Sequence, residues 1–228
     1  RMDGTVSGGA KPLRTKHEPP APPLKPDQEW ANALTHGIAC LGTICLGSYM
    51  VWVALPYGTG ITIACLVYAT SVFATFGFST LSHIVRRQPM LNTMRAWDQA
   101  MIYAMISGTY TPIAYRYASE STQVALLAAI WVAAMVGIVG KLLFQHRINS
   151  IGTISYLLLG WLPAIPLAPQ VPSELAWWMV AGGVLYTIGV VFLLNDSKLR
   201  YLHAVWHLAV MTAAVAHFLG IMHYVVGA

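Results

Sequence analysis

Two histidines, His203 and His207, stand four residues apart in the run HAVWH. Four residues is about one helical turn, so both imidazoles project from one face. A third, His83, closes the run STLSH. All three lie at the ends of long apolar stretches, where ionisable side chains are costly and usually mark function. Neutral imidazole is a good ligand for Zn²⁺, and three histidines plus a water form the ligand set of a catalytic zinc site. Such a site lowers the pKa of its bound water toward about 7, which supplies a hydroxide nucleophile at neutral pH. Three histidines alone also suit other transition metals. Asp98 could act as general base on that water, or orient it. Ser79 lies four residues before His83 on the same helical face, and its hydroxyl could bond the water or a substrate carbonyl oxygen. Read without metal, the same histidines are solvated or hydrogen-bonded residues of helix ends, and Asp98 is a helix cap.

A second polar set, Glu29, Asn32 and His36 in EWANALTH, has spacings of three, four and seven and shares one helical face. It reads as a structural clamp near the metal, as substrate contacts at the inner surface, or as plain polar residues at a helix entry. His217 lies ten residues beyond His207, about 15 Å along a helix, too far to share its metal. His217 and His223 read as packing or interface histidines. His17 and His146 fall in the tail and a loop with no visible role.

The elements that must position these groups are membrane helices. Of the 228 residues, 57% are hydrophobic and 9% charged, against about 25% charged in a soluble domain. Seven apolar stretches, near 31–55, 61–83, 97–115, 122–143, 149–168, 175–194 and 202–226, are each long enough to cross a bilayer as a helix. Pro163, Pro166 and Pro169 crowd the end of the fifth. The stretch Thr109-Tyr110-Thr111-Pro112 reads as a kink in the third helix or its end. The expected fold is an all-α membrane protein, a bundle of seven transmembrane helices over residues 29–228. Residues 1–28, with EPPAPPLKP at 18–26, are too polar to fold alone and read as a disordered tail rather than a signal peptide. The chain begins with Arg1, not Met, which leaves open a missing native start.

Loop charges set the orientation. Twelve of the thirteen Lys and Arg residues fall on one side of the alternating stretches, and Arg116 falls on the other. The positive-inside rule therefore places the N-terminus in the cytoplasm and the C-terminus outside. His83, His203, His207 and Asp98 then share one depth near the inner surface. With the basic residues in short loops and no basic patch interleaved with aromatics, the net charge of +5 reports topology, and nucleic-acid binding is excluded. Cys40, Cys45 and Cys65 form no C-x-x-C pair and read as buried, unreactive packing thiols.

The segments EWANALTHG (29–37), STLSH (79–83), WDQAMIYAMISGTYTP (97–112), GWLPA (160–164), GGVLYTIGVVF (182–192) and HAVWHLAVMTAAVAHF (203–218) together resemble the haemolysin-III family, within the progestin and adipoQ receptor superfamily. The resemblance implies seven transmembrane helices in the cell membrane (plasma or bacterial inner membrane), an intracellular N-terminus and a zinc ion near the cytoplasmic face. The family's ligand motifs fall on His83, His203 and His207, and its associated serine and aspartate on Ser79 and Asp98. Bacterial members often carry Asp-His where this chain has Asp98-Gln99, so a role for that histidine is absent here. Three functions follow from the resemblance. The first is zinc-dependent hydrolysis of a ceramide-like lipid amide or ester, with membrane lipid as partner. The second is haemolysin-like membrane damage. The third is a receptor or membrane-homeostasis role with structural zinc. Oligomeric state stays open.

Overall fold

The computed structural model describes residues 25–144 and 150–227. They form α1 (Pro26–Ala54), α2 (Thr59–Ile84), α3 (Met90–Tyr117), α4 (Glu120–Phe144), α5 (Ser150–Trp161), the single turn α6 (Ala164–Leu167), α7 (Ser173–Leu194) and α8 (Leu202–Ile221), which runs into a π-helical turn (Met222–Val226). Short 3-10 turns follow α1 and α6. The expected all-helical bundle is observed. Most of the 1–28 tail lies outside the described residues, but residues 26–28 belong to α1 rather than to a tail. Pro26 opens that helix, since its fixed φ suits a first turn whose N–H groups have no partner in any case.

Local sequence explains the helix boundaries. Gly58, with φ 109°, takes the left-handed conformation that reverses the chain between α1 and α2. α5 stops at Trp161 because Pro163 and Pro166 remove backbone donors, and the span is completed by α6 and a 3-10 turn. Pro112 does not end α3, which continues to Tyr117.

Among the described residues, six helices have 20 residues or more, α5 has 12, and six helical spans (one of them α5 continued through α6 and its 3-10 turn) are long and apolar enough to cross a membrane. α3 has the length but not the apolarity, and the structure shows why. It sits inside the bundle, packed against α2, α4, α5 and α8, with buried residues from Ala96 to Ala114. Its polar side chains meet protein partners. Ser107 Oγ donates to the Ile130 carbonyl at 3.2 Å, and Tyr110 Oη donates to the Gly160 carbonyl at 2.5 Å. Gln99 Oε1 accepts from the buried Lys141 ammonium at 3.0 Å. A hydropathy window registers such residues as unfit for lipid, although they never face it.

The outside of the bundle has the opposite character. On α1, Leu34, Ile38 and Leu41 are exposed at helical spacing, with Trp30 and Trp52 near the two ends. Cys45 is exposed and Cys40 half-buried on this helix, so only Cys65 is the buried packing thiol expected of all three. An apolar surface, with the polar side chains kept among protein partners inside a mostly apolar core, is the arrangement of a protein that lives in a bilayer.

Candidate metal centre

The starts of α1 and α8 and the end of α2 meet at one end of the bundle. A clasp holds them there. Tyr201, immediately before α8, has φ 63°, a left-handed conformation rare for a residue with a side chain. This aims the phenol at α1, where Tyr201 Oη donates to Asp27 Oδ2 at 2.7 Å. Arg200 donates to the same oxygen. The bond to Asp27 pushes the Tyr201 phenol above its ordinary pKa and raises that of the Arg200 guanidinium.

Docked in this way, the first two turns of α8 face the last turn of α2. His83, His203 and His207 come together, with one ligand atom from each lying within 4.8 Å of the others. Their ring centroids form a near-equilateral triangle with sides of 5.2, 5.1 and 4.8 Å.

In each ring Nδ1 is already occupied. His83 Nδ1 donates to Glu29 Oε2 at 2.6 Å. His203 Nδ1 donates to Asp196 Oδ2 at 2.9 Å. His207 Nδ1 donates to the Asn32 carbonyl at 3.1 Å and lies 3.0 Å from Thr35 Oγ1. A carboxylate or carbonyl can only accept, so each partner fixes the proton on Nδ1 and leaves the Nε2 lone pair free. This is the outer-shell arrangement that orients metal-binding histidines. His83 Nε2 is buried and has no hydrogen-bond partner among the described residues. A buried acceptor without a donor beside two more imidazoles fits a cation. The three histidines could hold a metal ion.

Asp98 is half-buried on α3, and its Oδ2 accepts from Ser82 Oγ at 2.9 Å. It is not among the three clustered ligands. Ser79 is 1% exposed. Asp98, Ser79, His203 and His207 all line one elongated cavity. From there the cavity continues past Tyr110 and Trp206 to His217. His203 and His217 are fourteen residues apart on α8, so the cavity follows that helix for about 21 Å.

The set Glu29, Asn32 and His36 divides. Glu29 orients His83 and lies 3.7 Å from Arg95. Asn32 holds His207 through its backbone. The His36 ring stacks on that of His207 at 3.5 Å and 9°. His217 is far from the triad, as expected, and bonds the Met179 carbonyl through Nε2 at 3.2 Å. His17 and His146 lie outside the described residues.

Sequence reasoning missed Asp196, Thr35, Ser82 and the clasp. One signal for the acids was available. The chain has only eight Asp and Glu residues, and Asp27, Glu29, Asp98 and Asp196 gather at this end of the bundle. Thr35 and Ser82 carried no signal, because their partners are set by how helices dock.

Residues 24–218 match the family model described as haemolysin-III related. The chain belongs to the haemolysin-III family. Hemolysin-3 of Bacillus cereus is 34% identical over 202 residues, covering 87% of this chain and 92% of the relative. The Hemolysin-3 homolog of Bacillus subtilis is 31% identical over 203 residues, 87% and 95% of the two chains. The human monocyte to macrophage differentiation factor is 28% identical over 163 residues, 69% and 68%. These matches also confirm the wider resemblance to the progestin and adipoQ receptor superfamily. No solved structure matches the chain. Family membership and the six apolar spans together identify a multi-pass protein of the cell membrane.

Proposed function

We propose that this haemolysin-III chain is a zinc-dependent intramembrane hydrolase of a lipid amide or ester, ceramide-like in kind. One observation carries the reading. Three imidazoles with occupied Nδ1 atoms converge, and two of them, His203 and His207, line a long, largely apolar cavity. A site with three protein ligands leaves a coordination position open, whereas structural zinc sites usually close with four.

His83, His203 and His207 would hold the zinc, which when bound supplies an activated water and polarises a carbonyl oxygen. The chain's own groups do the rest. The cavity accepts a lipid chain and keeps bulk water from the reacting bond. Asp98, fixed by Ser82, takes the proton from the attacking water and returns one to the leaving amine or alcohol. Ser79 donates to the substrate carbonyl. The charge distribution supports seven crossings with the N-terminus and the histidine triad on the cytoplasmic side, and α3 as the crossing that packs inside the others.

The decisive test is elemental analysis of detergent-purified protein, wild type beside His203→Ala, with release of fatty acid from an N-acyl amine followed in parallel. The expected result is zinc in the wild type, little in the variant, and hydrolysis lost in both His203→Ala and Asp98→Asn. Equal metal in both proteins, or undiminished hydrolysis after chelation, overturns the proposal.

A further inference from the structure

One cation of the bundle is not where a membrane protein usually keeps its cations. Lys141 stands in the last turn of α4. A lysine near the end of a span normally reaches out toward the aqueous interface. Lys141 turns inward instead and is 7% exposed. None of the ion pairs among the described residues includes it. Its ammonium donates to Gln99 Oε1 at 3.0 Å and lies 5.7 Å from the centre of the Tyr156 ring. A buried charge without a counter-ion is costly and is kept where it serves a neighbouring group.

That neighbour is a residue pinned at two points. Lys141 from α4 holds the side-chain oxygen of Gln99, and Tyr156 Oη from α5 donates to its main-chain carbonyl at 2.9 Å. An ammonium can only donate, so the carboxamide atom facing it is the oxygen, and the amide nitrogen is fixed as the other end. This Nε2 has no hydrogen-bond partner among the described residues, and it is not among the atoms closed off by their surroundings. α3 lies inside the bundle, and Gln99 lines the elongated cavity beside Asp98, with Ser79 in the same wall. The free N–H groups are therefore open to the cavity. The positive charge at Oε1 polarises the amide and strengthens these N–H groups as donors. Donors held in place before a ligand arrives, where little water screens them, suit an oxygen that carries or gains negative charge. A ligand hydroxyl or amine hydrogen is served less well, because the carboxamide oxygen faces Lys141.

We propose that Gln99 is a carbonyl-oxygen donor of the cavity wall, and that Lys141 is the positioning residue that orients and strengthens it. Within the proposed hydrolase, on which this rests only for the kind of oxygen met, Gln99 adds a donor to the scissile carbonyl one residue from the base Asp98.

The test uses the full chain in detergent, as purified and again after chelation, which removes any metal that could bind the oxygen. Two probes that cannot be hydrolysed share one chain: methyl undecyl ketone, and the alkene in which a CH2 group replaces its oxygen. Dissociation constants are measured for wild type, Gln99→Glu and Lys141→Met. Glutamate keeps an oxygen for Lys141 and removes the donor. The expected wild type binds the ketone at least about tenfold more tightly than the alkene in both states, the worth of a charge-supported hydrogen bond. Gln99→Glu loses that preference and Lys141→Met loses most of it, with alkene binding and the metal content of the purified protein unchanged. No preference in the chelated wild type overturns the donor, and that measurement needs no variant to fold. A preference undiminished in Gln99→Glu overturns it too, and gives the oxygen to another group of the wall such as Ser79. A preference lost in Gln99→Glu but whole in Lys141→Met overturns the part given to Lys141. The expected binding pattern without any hydrolysis of a dodecanoyl amide or ester by the metal-loaded protein overturns the hydrolase reading and leaves the donor standing.

Discussion

His207 and His217 lie on one helix, ten residues apart, the first buried and the second half-buried, yet only the first belongs to a cluster that could hold a metal. Around His207 stand three more imidazoles, His36 from α1, His83 from α2 and His203 from its own helix, with a backbone carbonyl and a threonine hydroxyl of α1. Around His217 there is the Met179 carbonyl and the Tyr186 ring at 5.7 Å, and among the described residues Nδ1 has no hydrogen-bond partner and no second imidazole is in contact. His207 also sits where chain segments with acids and histidines converge. His217 packs against Gly182, whose missing side chain makes room for the ring; a Cβ there would fall 2.2 Å from Nε2. Residue type is the same in both places. What differs is whether neighbouring helices supply convergent partners, and this decides ligand against packing residue.

Replacing either residue exposes that difference most directly. His207→Ala should lower metal affinity by more than about 100-fold, beyond the usual cost of losing an orienting partner. His217→Ala should leave metal content at the wild-type level. Elemental analysis of the two purified variants settles it, and comparable metal loss in both would erase the distinction. Removing an orienting group is the next largest effect. Glu29→Gln and Asp196→Asn should each weaken binding by about 10- to 100-fold, read by competition with a chelator of known affinity. Full retention in both would mean that Nδ1 anchoring contributes nothing.

Metal removal should act on stability from the His207 side alone. At free metal 100 times its dissociation constant, binding to the folded state adds about 2.7 kcal/mol. Chelation should therefore lower the melting temperature of the wild type and of His217→Ala but not that of His207→Ala. The smallest expected change concerns packing near His217. Gly182→Ala should destabilise by about 1–3 kcal/mol through overpacking with no change in metal content. A loss of metal in this variant would show the two regions to be coupled.

Much of this contrast was legible in the sequence. The expected seven-crossing topology, with twelve basic residues on one side, put His83, His203 and His207 at one depth, and the ten-residue interval excluded His217 from their site. Apolar stretches and their length gave the helices, including α3, although its inward polar residues place it below the apolarity of a lipid-facing span. Other features depend on docking. The sequence shows Asp196 as a loop acid and Thr35 as one more residue of α1, and nothing local says that each will meet an imidazole of α8. The expectation for Cys45 failed for a related reason: an apolar neighbourhood in a membrane helix does not distinguish a side chain facing protein from one facing lipid.

The clasp between Asp27 and Tyr201 ties the first helix to the last, and the histidines obey the same order. His83 arrives early in synthesis, while His203 and His207 belong to the final helix. Until α8 has docked, the chain holds one ligand of the three, so the cluster cannot assemble before that helix is made. A metal bound there bridges residues 120 positions apart and closes a loop that spans most of the bundle, the kind of link that restricts an unfolded chain most strongly. A metal bound there would thus distinguish chains in which α8 has docked from chains in which it has not.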